Sequence, residues 1–148
     1  MIDNDNHVMN EALDLLVHEP AKSARLMNPV VLAYAGDAVY ELLIRQYLIS
    51  KPNHQSHDLH REATKRVSAK AQRVTLEKLA PMLTEEEADV VRRGRNAKSG
   101  KPPKNADPAD YRHATALETL FGYLFYERRS DRIRELLAVA LDDGATKQ

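Results

Sequence analysis

The chain has 148 residues, of which 43% are hydrophobic and 30% charged, with 22 basic and 22 acidic side chains and no cysteine. That length suits one domain with a real core and an ordinary water-soluble composition. The lack of cysteine excludes a disulfide framework and a thiolate metal site, and the zero net charge argues against a uniformly basic nucleic-acid binder, although segregated charge still decides local binding.

The first residues, Met1 to His7, are acidic and polar. This is unlike a signal peptide, so a cytoplasmic location is expected. Residues 1 to 6 read as disordered. Val8, Ala12, Leu13, Leu15, Leu16 and Val17 predict a short first helix ending before Pro20, so residues 1 to 25 form an N-terminal segment of the same domain. Leu26 and Met27 lead into the strongest element, residues 28 to 49. Asn28 is a good N-cap and Pro29 fits the first helical position. Residues 30 to 49 are apolar nearly all round, which predicts a helix inside the domain with little solvent face. It is too short and too charged for a comfortable membrane span, and no membrane association is expected.

Asp37, Glu41 and Arg45 are each four residues apart and stack on one stripe of this helix. Gly36 lets another backbone or a ligand come close to Asp37. A carboxylate on such a helix needs a partner, either an ion-pair network with Arg45 reaching toward Glu41 or a bound metal.

Residues 50 to 55 read as a loop. Ser56 or Asp58 caps a helix with Leu59, Ala63 and Val67 on its apolar face, while Lys65, Arg66, Lys70 and Arg73 gather mostly on the other side. The pattern resumes or continues through Ala71, Val74, Leu76 and Leu79 and stops at Pro81. Thr84-Glu-Glu-Glu87 is a capping box with acids in the first turn, and Gly94 is expected to end the helix it opens.

Residues 92 to 106 contain Arg92, Arg93, Arg95, Lys98, Lys101 and Lys104 and no acid. Glycine and proline make most of this stretch a loop, and the cations suit a phosphate-binding surface with salt-dependent affinity. With no tryptophan and few aromatics, a backbone reader of duplex nucleic acid fits better than a stacking platform for single strands. A solvated, functionless loop is the alternative. Asp107-Pro108 starts the next helix, which holds Tyr111, Ala114, Leu117, Leu120, Phe121, Leu124 and Phe125, with Glu118 inside the apolar pattern. Ser130 or Asp131 opens a last helix with Ile133, Leu136, Leu137 and Ala140, and Gly144 is expected to end it. Residues 144 to 148 read as a disordered tail. No run of period two occurs, so the predicted fold is all-α in a single domain.

Two acids then stand in the middle of core-forming helices, Asp37 and Glu118. If those helices pack together, the acids avoid hydrocarbon by facing each other. Paired carboxylates can hold a hard cation such as magnesium, which activates water and stabilises charge on phosphate. A structural carboxylate pair sharing one proton is the alternative. His54, His57 and His60 lie three apart, and His57-Asp58 leaves open a His-Asp metal phosphohydrolase. His113 near Glu118 is either a satisfied histidine or a substrate contact.

Leu32-Ala-Tyr-Ala-Gly-Asp-Ala-Val-Tyr-Glu41 resembles the signature helix of ribonuclease III domains, Leu-Glu-Phe-Leu-Gly-Asp-Ala-Val-Leu. Ala114-Thr-Ala-Leu-Glu-Thr-Leu-Phe-Gly-Tyr-Leu-Phe125 resembles that family's second acidic helix. Asp58-Leu-His60, Val67-Ser-Ala-Lys70, Thr84-Glu-Glu-Glu87 and Arg93-Gly-Arg-Asn-Ala-Lys-Ser-Gly100 look like mini-ribonuclease III, the short bacterial branch. The resemblance runs from Leu26 to the end of the last helix and implies a catalytic domain of about seven helices over residues 26 to 143. It implies a homodimeric, Mg2+-dependent endoribonuclease that cuts double-stranded RNA, leaving 5′-phosphate and 3′-hydroxyl ends. The implied substrate is the stem of the 23S ribosomal RNA precursor, with a large-subunit ribosomal protein as a potential partner.

Asp37 and Glu118 would be the catalytic and metal-binding acids. The cations at 92, 93, 95, 98, 101 and 104 would replace the RNA grip of the separate RNA-binding domain found in longer relatives. Two further acids of those relatives are replaced here by Ala33 and Thr115, which favours one metal over two. A non-catalytic RNA-binding protein of the same fold is the rival.

Overall fold

The computed structural model describes residues 15–98 and 100–142. Among these are six α-helices, two short 3-10 turns (Ala24–Leu26 and Ala80–Met82) and no strand, as the all-α prediction requires. The helices are α1, Pro29–Ile49; α2, Ser56–Val67; α3, Ala69–Leu79; α4, Glu85–Asn96; α5, Pro108–Tyr126; and α6, Ser130–Ala140. The predicted first helix and the tail after Gly144 lie largely outside the described residues. The described end of that helix, Leu15 to Val17, is not helical.

Starts and stops obey local chemistry. The Asn28 side chain accepts from the Val30 N–H at 2.9 Å, and Pro29 occupies the first turn of α1. Ser68 takes an extended backbone, φ −61° and ψ 154°, and accepts from the Ala71 N–H at 3.2 Å. α2 and α3 are therefore two helices broken at Ser68. The capping box at α4 is complete, with Thr84 Oγ1 accepting from the Glu87 N–H at 3.1 Å and Glu87 Oε1 accepting from the Thr84 N–H at 3.0 Å. Neither Ser56 nor Asp58 caps α2, because its N-cap position is Gln55, which makes no side-chain bond. α6 starts at Ser130, after Arg129, and stops at Ala140, short of Gly144.

Gly94 does not end α4, which continues to Asn96. The glycine is buried against α5, where an added Cβ would lie 2.5 Å from Thr119 Oγ1 and 3.1 Å from the Ala116 Cα. It serves a close helix–helix contact rather than a C-cap.

The hub of the fold is α5. Every residue from Ala114 to Leu124 is buried except Glu118. Leu117, Leu120, Phe121 and Leu124 are fully buried, each contributing about 1.5–3 kcal/mol relative to exposure. α1, α3, α4 and α6 all pack on this helix.

α1 is less enclosed than its composition predicts. Leu32, Ala33, Gly36, Tyr40, Ile44 and Leu48 face the core, and Tyr40 meets Phe121 edge to face at 5.1 Å. The opposite face is open, with Tyr34 84% exposed and Val31, Leu42 and Ile49 also largely in solvent. A helix at the rim of a small bundle finds neighbours for one face only, however apolar its other face is.

Candidate active site

α1 and α5 cross through two glycines. A Cβ on Gly36 would sit 1.7 Å from the Glu118 carbonyl oxygen and 2.7 Å from the Gly122 nitrogen, and a Cβ on Gly122 would sit 2.0 Å from the Leu32 carbonyl oxygen. The backbones are thus in direct contact, and only residues without a side chain permit this. Asp37 follows Gly36, and Glu118 lies one turn before Gly122. The crossing that excludes side chains therefore sets the two acids side by side, close enough for the Asp37 charge to act on the Glu118 carboxyl.

Asp37 is on the exposed side of α1, whereas Glu118 is partly buried. Burial first, then the adjacent Asp37 charge and its hydrogen bond, push the Glu118 carboxyl up to about 8. Two like charges this close do not both ionise readily. At neutral pH and without a cation, the Glu118 carboxyl therefore keeps its proton. A donor set of hard carboxylate oxygens, short of positive charge and open on the Asp37 side, fits a magnesium-type cation. Among the described residues there is no group of three or more His, Asp or Glu side chains arranged to hold a metal, so any such ion takes most of its shell from water and substrate.

Glu41 is not part of this pair. Its carboxylate takes Arg45 at 3.3 Å, as the ion-pair reading of the stripe predicts. The two positions where longer ribonucleases III carry acids are both buried: Ala33, and Thr115, which donates to the Tyr111 carbonyl at 3.0 Å.

The six cations do not lie on one loop. Arg92, Arg93 and Arg95 belong to the last turns of α4, while Lys98, Lys101 and Lys104 lie in the connection beyond it. Gly94 is packed inside a helix instead of terminating one, so the loop begins later than its composition predicts. Arg92 is held by Asp89 at 2.5 Å, and all three lysines are exposed.

Among the described residues the histidines do not build a second centre. His57 Nε2 is 3.6 Å from Asp58 and largely exposed, and Asp58 is taken by Arg61 at 2.6 Å. His54 contacts the Lys51 carbonyl and His113 the Ala109 carbonyl. A cavity of about 430 Å³ lies apart from the acids, between α1, α2, α3 and α6, with Lys65, Arg66 and Lys70 among its lining residues.

One contact to the site is absent from the sequence-based expectations. Gln72 of α3 is 2% exposed and its Nε2 donates to Glu118 Oε2 at 3.3 Å. A signal exists, since Gln72 shares the apolar stripe of Leu76 and Leu79 at helical spacing, where a polar residue needs a partner.

Comparison with known proteins gives the family and supports the fold. The Ribonuclease III domain family matches residues 30–129. A protein named mini-ribonuclease 3 from Brevibacillus brevis is 50% identical over 128 residues, covering 85% of this chain and 96% of that protein. Its namesake from Symbiobacterium thermophilum is 48% identical, covering 78% and 89%. A crystal structure of a Fusobacterium nucleatum protein superposes with a TM-score of 0.73 at 26% identity, covering 82% of this chain and 98% of that one. The chain belongs to the ribonuclease III family, in its mini-ribonuclease 3 branch, and is an endoribonuclease.

Proposed function

We propose that the chain is a magnesium-dependent endoribonuclease acting on double-stranded RNA, with Asp37 and Glu118 as the catalytic, metal-binding acids. The observation that carries this is the glycine-to-glycine crossing of α1 and α5, which sets two carboxylates from distant parts of the sequence together on an open face. When bound, magnesium supplies positive charge beside a phosphodiester and a water acidic enough to act as nucleophile near neutral pH. The protein's part is to hold the two carboxylates in fixed register, so that no reorganisation is needed when charge develops on phosphate. Asp37 reaches solvent and meets the substrate side, while Glu118 is anchored from behind. An open face rather than a closed pocket suits a polymer.

Arg92, Arg93, Arg95, Lys98, Lys101 and Lys104 hold the RNA backbone in this account, with the exposed lysines as principal phosphate contacts. The apolar stripe of α1 through Val31, Tyr34, Leu42 and Ile49 supports homodimerisation. A contiguous exposed apolar face marks an interaction site, and two protomers would each cut one strand. The 23S ribosomal RNA precursor stem is the substrate we assign, and a cytoplasmic location goes with it.

The test is cleavage of a duplex RNA in magnesium by the wild type and by Asp37→Asn and Glu118→Gln. Both variants should lose cutting and keep RNA binding; retained cutting by either removes that residue from the centre. A wild type that binds duplex RNA without cutting it under any divalent cation favours the rival, a non-catalytic binder.

A further inference from the structure

Gln72 is placed where an apolar residue would be cheaper. It is 2% exposed, on the stripe through which Leu76 and Leu79 pack into the core. Its Nε2 donates to the Val67 carbonyl at 3.0 Å and to Glu118 Oε2 at 3.3 Å. Its Oε1 is buried and has no hydrogen-bond partner among the described residues. Turning the amide over does not cure this, because oxygen would then face the carbonyl of Val67, which can only accept. The orientation is fixed by the Val67 carbonyl, at the cost of an orphaned oxygen on the other side.

Such an orphan in a packed core calls for a reason. Methionine or leucine in the same space would remove the orphan, while leaving the Val67 carbonyl and Glu118 Oε2 without this donor. What the amide supplies is one N–H to the Val67 carbonyl at the end of α2 and one aimed at Glu118. α3 is itself held firm beside that carboxylate, since Arg73, the next residue, pairs with Asp110 at the start of α5 at 3.0 Å.

We infer that Gln72 is a positioning residue that fixes the Glu118 carboxylate for a divalent cation shared with Asp37. This rests on the metal-binding role proposed for the two acids. Groups that orient metal-binding carboxylates without touching the ion commonly change metal affinity by about 10- to 100-fold when removed.

The experiment uses full-length Gln72→Met and Gln72→Leu. Mg2+ binding is measured by calorimetry without RNA, together with thermal stability and the Mg2+ and RNA dependence of cleavage. The expected result is a folded protein whose melting temperature falls by no more than a few degrees, Mg2+ binding weaker by about 10- to 100-fold, and an unchanged KM for duplex RNA. Mg2+ affinity within twofold of the wild type overturns the assignment and leaves Gln72 a core residue only. Failure of both variants to fold also overturns it, because the amide would then be needed for the structure. If the wild type binds no Mg2+ while Asp37→Asn and Glu118→Gln still cut RNA, the metal-site proposal falls and takes this inference with it. A wild type that binds normally isolates the fault to Gln72.

Discussion

Gly36→Ala tests whether the helix crossing, and not merely the presence of two acids, makes the site. An alanine Cβ at position 36 would lie 1.7 Å from the Glu118 carbonyl oxygen, 2.6 Å from its carbon and 2.7 Å from the Gly122 nitrogen, all under the 3.0 Å floor for real Cβ contacts. These are backbone atoms, so no side-chain rotation relieves the clash. α1 and α5 must separate by more than 1 Å at the point that sets Asp37 against Glu118. In an open helix the change would stabilise by about 1 kcal/mol through propensity alone. Overpacking of a tight contact costs about 1–3 kcal/mol, and three backbone clashes put this case at the top of that range. The net expectation is a loss of about 2 kcal/mol, or about 4–8 °C in Tm for a chain of this size. Displacing catalytic groups by about 1 Å costs about 100-fold in rate.

Denaturant unfolding measures the first effect and single-turnover cleavage of duplex RNA the second. Gly94→Ala is the control, since its clash lies between α4 and α5; it should lower stability with a much smaller effect on rate. A Gly36→Ala protein as stable and as fast as the wild type would refute the crossing as the device that places the acids.

Three further outcomes are expected. In chelator, Glu118 titrates near 8 in the folded chain against its ordinary 4.5, so the folded state binds the extra proton between those values. Stability should fall as pH rises through that window, with a slope approaching about 1.4 kcal/mol per pH unit; Asp37→Asn should narrow the window from its upper end while burial of Glu118 keeps the rest, and an unchanged upper limit in that variant would contradict the pairing. Neutralising Lys98, Lys101 and Lys104 together should weaken duplex binding and reduce the salt slope by about 2–3, near 0.9 for each phosphate left without its lysine; a wild-type slope would remove the lysines from the RNA contact. Glu87 is 1% exposed and accepts Arg132 Nε and NH2 at 2.8 Å each. Against its burial, Arg132 and Thr84 hold its carboxyl below the ordinary value, so its contribution is present above pH 4.5 and lost in acid. Glu87→Ala leaves Arg132 with only Glu135 and the Met82 carbonyl and should cost about 1.5–3 kcal/mol at neutral pH by denaturant unfolding, and a loss under about 1 kcal/mol, the scale of an exposed pair, would contradict the pairing.

The fold is legible where local chemistry decides it. Asn28-Pro29, Thr84 to Glu87 and Asp107-Pro108 each announce a helix start by side chains that cap or pre-form the first turn, and all three helices begin there. Asp37 and Glu118 stand out because each is an acid among core residues, and Gly36 beside Asp37 hints at a close approach. The errors arise where tertiary packing overrides a local signal. Gly94 reads as a helix end, yet it is a contact surface for Thr119 and Ala116, and this moves Arg92, Arg93 and Arg95 from the expected loop onto α4. The apolar circumference of α1 reads as full burial, yet the bundle covers one face only. Gln72 is hard to single out because its partner lies 46 residues away on another helix, a relation that spacing along one chain does not reveal.

The most direct measurement is an Mn2+-soaked crystal of the wild type, with the anomalous signal locating the ion. The account predicts a peak at inner-sphere distance, about 2.0–2.3 Å, from oxygens of both Asp37 and Glu118, and no such peak in Asp37→Asn. Ions bound only elsewhere, with no density between the two carboxylates, would contradict it.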